Sequence, residues 1–161
     1  MKKRGQLFEK PFTFIFILVV ASLTLLFGFR LIKNTVNLGE DVEVKSFISK
    51  FETEVERIYN LDFGSRSSLK NLNIPQSIKW ICFVDRDLSI DTTKIPDETT
   101  KTLILNTGEN VFFVLSKDTD LKFIENLKPA NENPLCIRVL ANKLNAVVEN
   151  KGSYVEIKRL Q

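Results

Sequence analysis

The sequence has no histidine and only two cysteines among its 161 residues. Without histidine, Ser-His-Asp catalysis, Cys-His catalysis and ordinary histidine-containing zinc sites are excluded. Glycine is scarce, and the chain contains no Gly-rich phosphate loop, no CxxC pair, no G-x-S-x-G motif and no N-x-[ST] sequon. The carboxylates, serines and lysines that remain form no catalytic constellation. We therefore predict that the protein is not an enzyme and that it uses no cofactor.

Excess positive charge is confined to the start of the chain. Lysine and arginine number 23 and aspartate and glutamate number 20, which gives a net charge of +3. Four of the basic residues and one acidic residue lie within residues 1–10, so residues 11–161 carry 19 side chains of each sign. A nucleic-acid-binding face should appear as a basic cluster in the folded part of the chain. We accordingly predict no nucleic-acid partner.

A long uncharged segment follows the basic start. Residues 11–29 (PFTFIFILVVASLTLLFGF) contain no charged side chain, and a helix of this length spans roughly 28 Å, close to the hydrocarbon core of a bilayer. We predict a transmembrane helix over residues 11–30, with the lipid bilayer as a partner. The alternatives are a core helix of a soluble protein and a secretory signal cleaved after Ala21. The apolar run continues for eight residues beyond Ala21, which favours an uncleaved anchor.

The basic residues also predict the orientation of the anchor. Lysines and arginines cluster more tightly before the apolar run than after it. The positive-inside rule then makes residues 1–10 a cytoplasmic leader and places the remainder of the chain outside the cytoplasm. The predicted location is the cell membrane, with a single pass and an extracytoplasmic C-terminal domain.

Residues 31–64 are predicted to form a stem that contains an amphipathic helix. Apolar residues recur in it at spacings of three and four, which places them on one stripe of a helix that must be buried. These residues are Val44, Phe47, Ile48, Phe51, Val55, Ile58 and Tyr59. Gly64 is a candidate stop signal for this helix. A bend around residues 34–40 and one continuous helix are both compatible with the sequence.

From residue 65 to residue 161 the hydrophobic period changes from the helical value to two, which predicts a β-rich head. Leu69–Ile74 is a candidate first strand that Pro75 ends. The strands predicted after it are Ile78–Asp85, Thr102–Asn106, Asn110–Ser116, Leu135–Ala141, Leu144–Glu149 and Ser153–Leu160. The third and fourth strands are predicted to form a hairpin, and residues 118–127 are either a loop or one or two helical turns. The predicted fold class is α+β, with the amphipathic helix packed on an antiparallel sheet of about five or six strands.

Three groups of side chains are candidates for a site in the head. Cys82 and Cys136 could form a disulfide outside the cytoplasm, or remain two buried thiols. The segment DRDLSID (residues 85–91) has the alternating oxygens of a calcium loop but lacks its glycine and its final glutamate, so a solvated loop is the alternative. A small-molecule or glycan-binding module would need an exposed aromatic pocket. The non-Phe aromatic residues on the predicted strands are Trp80 and Tyr154. Trp80 is expected in the core.

The first residues, MKKRGQ, and the apolar span that follows resemble the leader of archaeal type IV pilin-like (class III signal) proteins. The resemblance implies cleavage between Gly5 and Gln6, a stem helix within residues 11–60 and an extracytoplasmic head from about residue 65. It also implies that the apolar helix anchors the subunit and packs in the core of a filament on assembly. A basic patch that only sets membrane topology is the alternative interpretation of the leader.

Together these features predict a single-pass membrane-anchored protein with a small extracytoplasmic α+β head and a structural or interaction role. A pilin-like subunit is one form of that role, and other membrane or pilin-like subunits would then be partners. The alternative is a membrane-tethered accessory or binding module of a surface complex with no filament role.

Overall fold

The structure, a computed structural model, describes residues 9–160, and it describes side-chain environments for residues 13–30 and 39–160. The chain divides between Asp41 and Val42 into two compact units. The helices are α1 (Glu9–Tyr59) and α2 (Glu98–Asn106), with short 3-10 turns at Leu69–Asn71 and Thr92–Lys94. The strands are β1 (Arg66–Ser68), β2 (Ile78–Phe83), β3 (Val111–Leu115), β4 (Thr119–Lys122), β5 (Leu127–Pro129), β6 (Leu135–Arg138), β7 (Ala146–Asn150) and β8 (Val155–Arg159). The fold class is α+β, as predicted.

The sequence was compatible with either a bend or a continuous helix at residues 34–40. In the structure these residues belong to helix α1. Its C-terminal end is fixed by Asn150 on β7, whose side-chain amide donates hydrogen bonds to the carbonyl oxygens of Ile58, Tyr59 and Leu61 at 2.8–3.0 Å. The carbonyls of Ile58 and Tyr59 belong to the last turn of the helix, where C=O groups lack their i+4 backbone partner. Gly64 then takes a positive φ of 83° in the turn that leads to β1.

The predicted stripe of α1 is buried in the second unit. Val44, Phe47, Phe51, Val55 and Ile58 are at most 3% exposed. The ring of Phe51 lies 5.9 Å from Phe83 on β2 and 6.2 Å from Phe113 on β3. The same core cluster contains Val148 on β7 and Ile157 on β8, so the stripe shares one core with residues of β2, β3, β7 and β8. Burial of this stripe, rather than intrinsic helix propensity, stabilises this part of α1.

The head contains two sheets, which corrects the expectation of one antiparallel sheet of five or six strands. Within the described residues, the first sheet has the strand order β1-β7-β8-β5 and the second has the order β4-β3-β2-β6. All pairs are antiparallel except β5 with β8, which is parallel. Alternation along a strand shows which face is buried but does not show the neighbouring strand. The chain passes between the two sheets four times, after β1, β4, β5 and β6, and the last passage includes a turn where Ala141 and Asn142 take positive φ values.

The predicted hairpin of the third and fourth strands is wrong, because Thr102–Asn106 is the C-terminal part of helix α2 and not a strand. Asp97 caps its N-terminus by accepting a hydrogen bond from the backbone N–H of Thr100 at 2.8 Å. Helix α2 packs on the second face of β2 and β3, where Ile104 joins the core cluster of Phe112 and the two cysteines. This cover explains why β2 is apolar on both faces.

Two other predicted segments differ from the structure. The segment predicted as a strand at Leu69–Ile74 begins with a 3-10 turn at Leu69–Asn71, which the Ser68 hydroxyl caps. Residues 118–127, expected as a loop or helical turns, contain the edge strand β4 and the start of β5. Both strands are short, so neither shows enough alternation to be recognised in the sequence.

Candidate functional site

The apolar segment of α1 differs from the rest of the described chain in combining high hydropathy with exposed side chains. Thr13–Arg30 has a mean hydropathy of 2.1 and no buried residue, and among the described residues it is the one helical segment long and apolar enough to cross a membrane. Its large apolar side chains are 45–75% exposed. The hydroxyls of Ser22 and Thr24 donate to the carbonyl oxygens of Leu18 and Val20, each at 2.8 Å. These polar groups therefore need no water, which is the requirement that a lipid environment imposes.

The predicted cleavage site lies outside the described residues. Gly5 and Gln6 both precede Glu9, where the description of the chain begins. Cleavage at this position remains a prediction from the leader sequence.

Cys82 and Cys136 are bonded to each other in the structure, with an S–S distance of 2.04 Å. They face each other in the register of β2 and β6, and they are 0% and 5% exposed. Sequence could not choose between a bridge and two thiols, because the choice depends on this pairing of distant strands. A buried disulfide under α2 is a structural element and presents no thiolate for chemistry.

The acidic segment of residues 85–91 does not bring its carboxylates together around one point. Lys128 pairs with both Asp85, at 3.4 Å, and Asp87, at 2.7 Å. Asp91 instead accepts hydrogen bonds from the backbone and hydroxyl of Thr93. Among residues 13–30 and 39–160, whose side chains the structure describes, no group of three or more acidic, cysteine or histidine side chains could hold a metal ion. Asp85 and Asp87 therefore pair with Lys128, whereas Asp91 caps the 3-10 turn at Thr92–Lys94.

The first sheet carries an ion cluster around one buried carboxylate, which the sequence analysis missed. Glu149 on β7 has a side chain only 6% exposed, and its carboxylate contacts Lys158 at 2.7 Å, Lys151 at 2.8 Å and Arg66 at 3.0 Å. Hydrogen bonds from Lys151, Lys158 and Arg66, in that order of size, lower the pKa of Glu149 to about 2. Arg66 is on β1 and Lys158 on β8, so the cluster ties three strands together. The sequence does not reveal the cluster, because Arg66 is far from Glu149 in the chain and reaches it, as Lys158 does, only through the pairing of the strands.

Replacing this carboxylate should produce a pH-dependent loss of stability. A lowered pKa in the folded state stabilises the fold above the ordinary value of 4.5, and this contribution is lost as the pH falls toward 2. We expect Glu149→Gln to lower the urea midpoint at pH 7, and we expect the difference from the unsubstituted protein to shrink between pH 4.5 and pH 2. Trp80, the only tryptophan, supplies the fluorescence signal. The control Glu156→Gln removes only a contact of 3.6 Å to Lys151 and should have a smaller effect; a Glu149→Gln deficit that stays constant with pH would contradict the prediction.

Trp80 also differs from its expected place in the core. It is half-buried, and the guanidinium of Arg138 lies over its ring, 5.9 Å from the ring centroid. The remaining surface of the indole lines a cleft on the α2 side of the second sheet.

Comparisons of the chain with protein-family models, with curated proteins and with solved structures found no match.

Proposed function

We propose that this protein is a single-pass membrane protein in which residues 13–30 cross the bilayer and the unit from Val42 onward forms an extracytoplasmic head. The observation that carries the proposal is a contrast within α1. Its large apolar side chains from Phe14 to Phe29 are exposed. Those of Val44, Phe47, Phe51, Val55 and Ile58 are instead buried inside the head. An exposed apolar surface of this length is stable only if lipid or protein covers it.

Two observations support the proposed orientation. The basic residues cluster in residues 1–10, and such clusters favour the cytoplasmic side of a membrane. The head contains the Cys82–Cys136 disulfide, and disulfides persist mainly outside the cytoplasm. Both observations support an orientation with residues 1–10 in the cytoplasm and the head outside it.

The proposed role of the head is structural or interactive. A pilin-like subunit fits the leader sequence and the order of elements, in which the C-terminal part of a long N-terminal helix packs on β-sheets. The alternative is a tethered accessory protein or binding module of a surface complex that forms no filament. The two roles differ in what happens to the leader and in whether the apolar helix packs against other copies.

The topology can be tested with a protease-cleavable tag after Gln161. We expect protease added to intact cells to remove the tag, because the head lies outside. Thiol labelling of the unfolded, unreduced protein should leave Cys82 and Cys136 unlabelled, and reduction should expose both. Tag protection in intact cells that disappears on lysis would reverse the proposed orientation.

N-terminal sequencing and intact mass of the membrane-extracted protein separate the two roles. A mature start at Gln6 supports the pilin-like subunit, and a start at Met1 supports the plain anchor. A start at Ser22 in the medium would mean a cleaved signal and would overturn the proposed anchor.

A further inference from the structure

A β-bulge in β2 brings two consecutive residues to the lining of one cleft. Ile78 pairs with Leu115 and Trp80 pairs with Val114, so Lys79 has no opposite residue on β3. In a regular strand, consecutive side chains point to opposite faces of the sheet. Lys79 and Trp80 nevertheless line the same cleft. Bulges re-aim side chains in this way and are over-represented beside active sites.

The cleft has a floor and two walls. Its floor is a row across three strands, formed by Trp80, Val114 and Thr119. One wall is residues 96–99 at the start of α2, and the other is the turn of residues 116–118 between β3 and β4. The cleft volume is about 390 Å³, which is within the range of small-ligand sites.

The polar groups of the cleft are balanced in charge. Lys79 and Lys117 carry positive charge, and Asp97 and Asp118 carry negative charge. The Lys79 ammonium donates to the carbonyl oxygen of Gln76, and both carboxylate oxygens of Asp97 accept hydrogen bonds from Thr100, so Lys117 and Asp118 are the charged pair that a ligand would meet. Hydroxyl groups from Thr99, Ser116 and Thr119 also line the cleft. A charged ligand would gain no long-range attraction from this balanced set. Donors and acceptors set around an aromatic ring instead suit a neutral ligand that carries many hydroxyl groups.

A sugar ring has this chemistry. Its C–H groups are weakly positive and are attracted to the electron-rich face of an indole, while its hydroxyls both donate and accept hydrogen bonds. We infer that the cleft binds a neutral saccharide, with one ring against Trp80 and hydroxyls bonded to Lys117 and Asp118. This inference goes beyond the proposed function, because a membrane-tethered head requires no small ligand.

The test uses the full chain in phospholipid nanodiscs, since many detergents carry sugar headgroups. The nanodisc scaffold is a tryptophan-free variant and Trp80 is the only tryptophan of the chain, so intrinsic tryptophan fluorescence reports on this cleft alone. The probes are maltotriose, mannotriose, N,N′,N″-triacetylchitotriose and their monosaccharides, at concentrations up to the millimolar range. We expect a saturable change in Trp80 emission with at least one trisaccharide, and no weakening by added salt, because a neutral ligand is not screened. A monosaccharide that binds as well as its trimer indicates a single-ring ligand, and tighter trimer binding indicates a glycan chain.

Two lysine variants locate the binding. Lys117→Ala removes a charged donor from the cleft and should weaken binding about tenfold. The matched control Lys143→Ala removes an exposed lysine from a turn outside the cleft and should leave binding unchanged. Absence of a saturable response to every probe, equal binding by the two variants, or tighter salt-sensitive binding of trigalacturonate would overturn the inference. None of these outcomes depends on whether α1 crosses a membrane.

Discussion

Replacing Val20 and Leu23 together by arginine is expected to abolish stable membrane association. Both residues lie near the middle of the Thr13–Arg30 segment and are exposed in the structure. An arginine at the centre of a transmembrane helix costs about 3 kcal/mol relative to an aliphatic residue, so two cost about 6 kcal/mol, or roughly four orders of magnitude in partitioning. The measurement is the fraction of protein that stays in the membrane pellet after a carbonate wash.

The matched control for this experiment is Val42→Arg. Val42 is 64% exposed and lies on α1 in the second unit, outside the apolar segment. The proposed anchor predicts that this variant remains in the pellet as the unsubstituted protein does. If the double arginine variant also remained in the pellet, or if the unsubstituted protein appeared in the soluble fraction without detergent, residues 13–30 would not be the anchor.

Phe51→Ala is expected to cause the largest loss of stability from a single truncation in the head. Phe51 is fully buried, and its ring contacts Phe47 as well as the two rings of the second sheet. Truncation removes the buried ring and leaves a cavity where α1 meets the core, which costs about 3–5 kcal/mol. Urea unfolding followed by Trp80 fluorescence measures this loss.

The comparison variant is Phe123→Ala, at a phenylalanine that is 57% exposed. Its effect should be within about 0.5 kcal/mol of zero, as for most surface substitutions. Similar losses for the two variants would mean that Phe51 is not a core residue. Phe51→Ala should also leave the carbonate-resistant fraction unchanged, because anchoring and head stability reside in different parts of α1.

Periodicity made the buried stripe of α1 predictable. Phe47, Phe51, Val55 and Ile58 repeat at the spacing of a helix, and nothing distant is needed to recognise that they share one face. The same reasoning found β2, β7 and β8, because each shows several apolar residues in a strand pattern. In these segments local sequence and tertiary burial select the same conformation.

Other parts of the head depend on residues far away in the chain. Thr102–Asn106 is rich in residues that favour strands, but the Asp97 cap and burial of Ile104 under the second core cluster make it helical. The division into two sheets and the parallel pairing of β5 with β8 follow from long-range register, which periodicity does not contain. The cleft at Trp80 was missed for a related reason, because a bulge at Lys79 breaks the alternation on which the core assignment rested.

Asn150 has a consequence for the order in which the protein is made. Its amide reaches carbonyl groups at the end of α1 that are about 90 residues earlier in the chain, and β1 also pairs only with β7. During synthesis, the carbonyl groups at the end of α1 and the edge of β1 therefore gain these partners only after β7 has left the ribosome. In a nascent chain that stops before Asn150, the contacts that join the start of the head to β7 are absent.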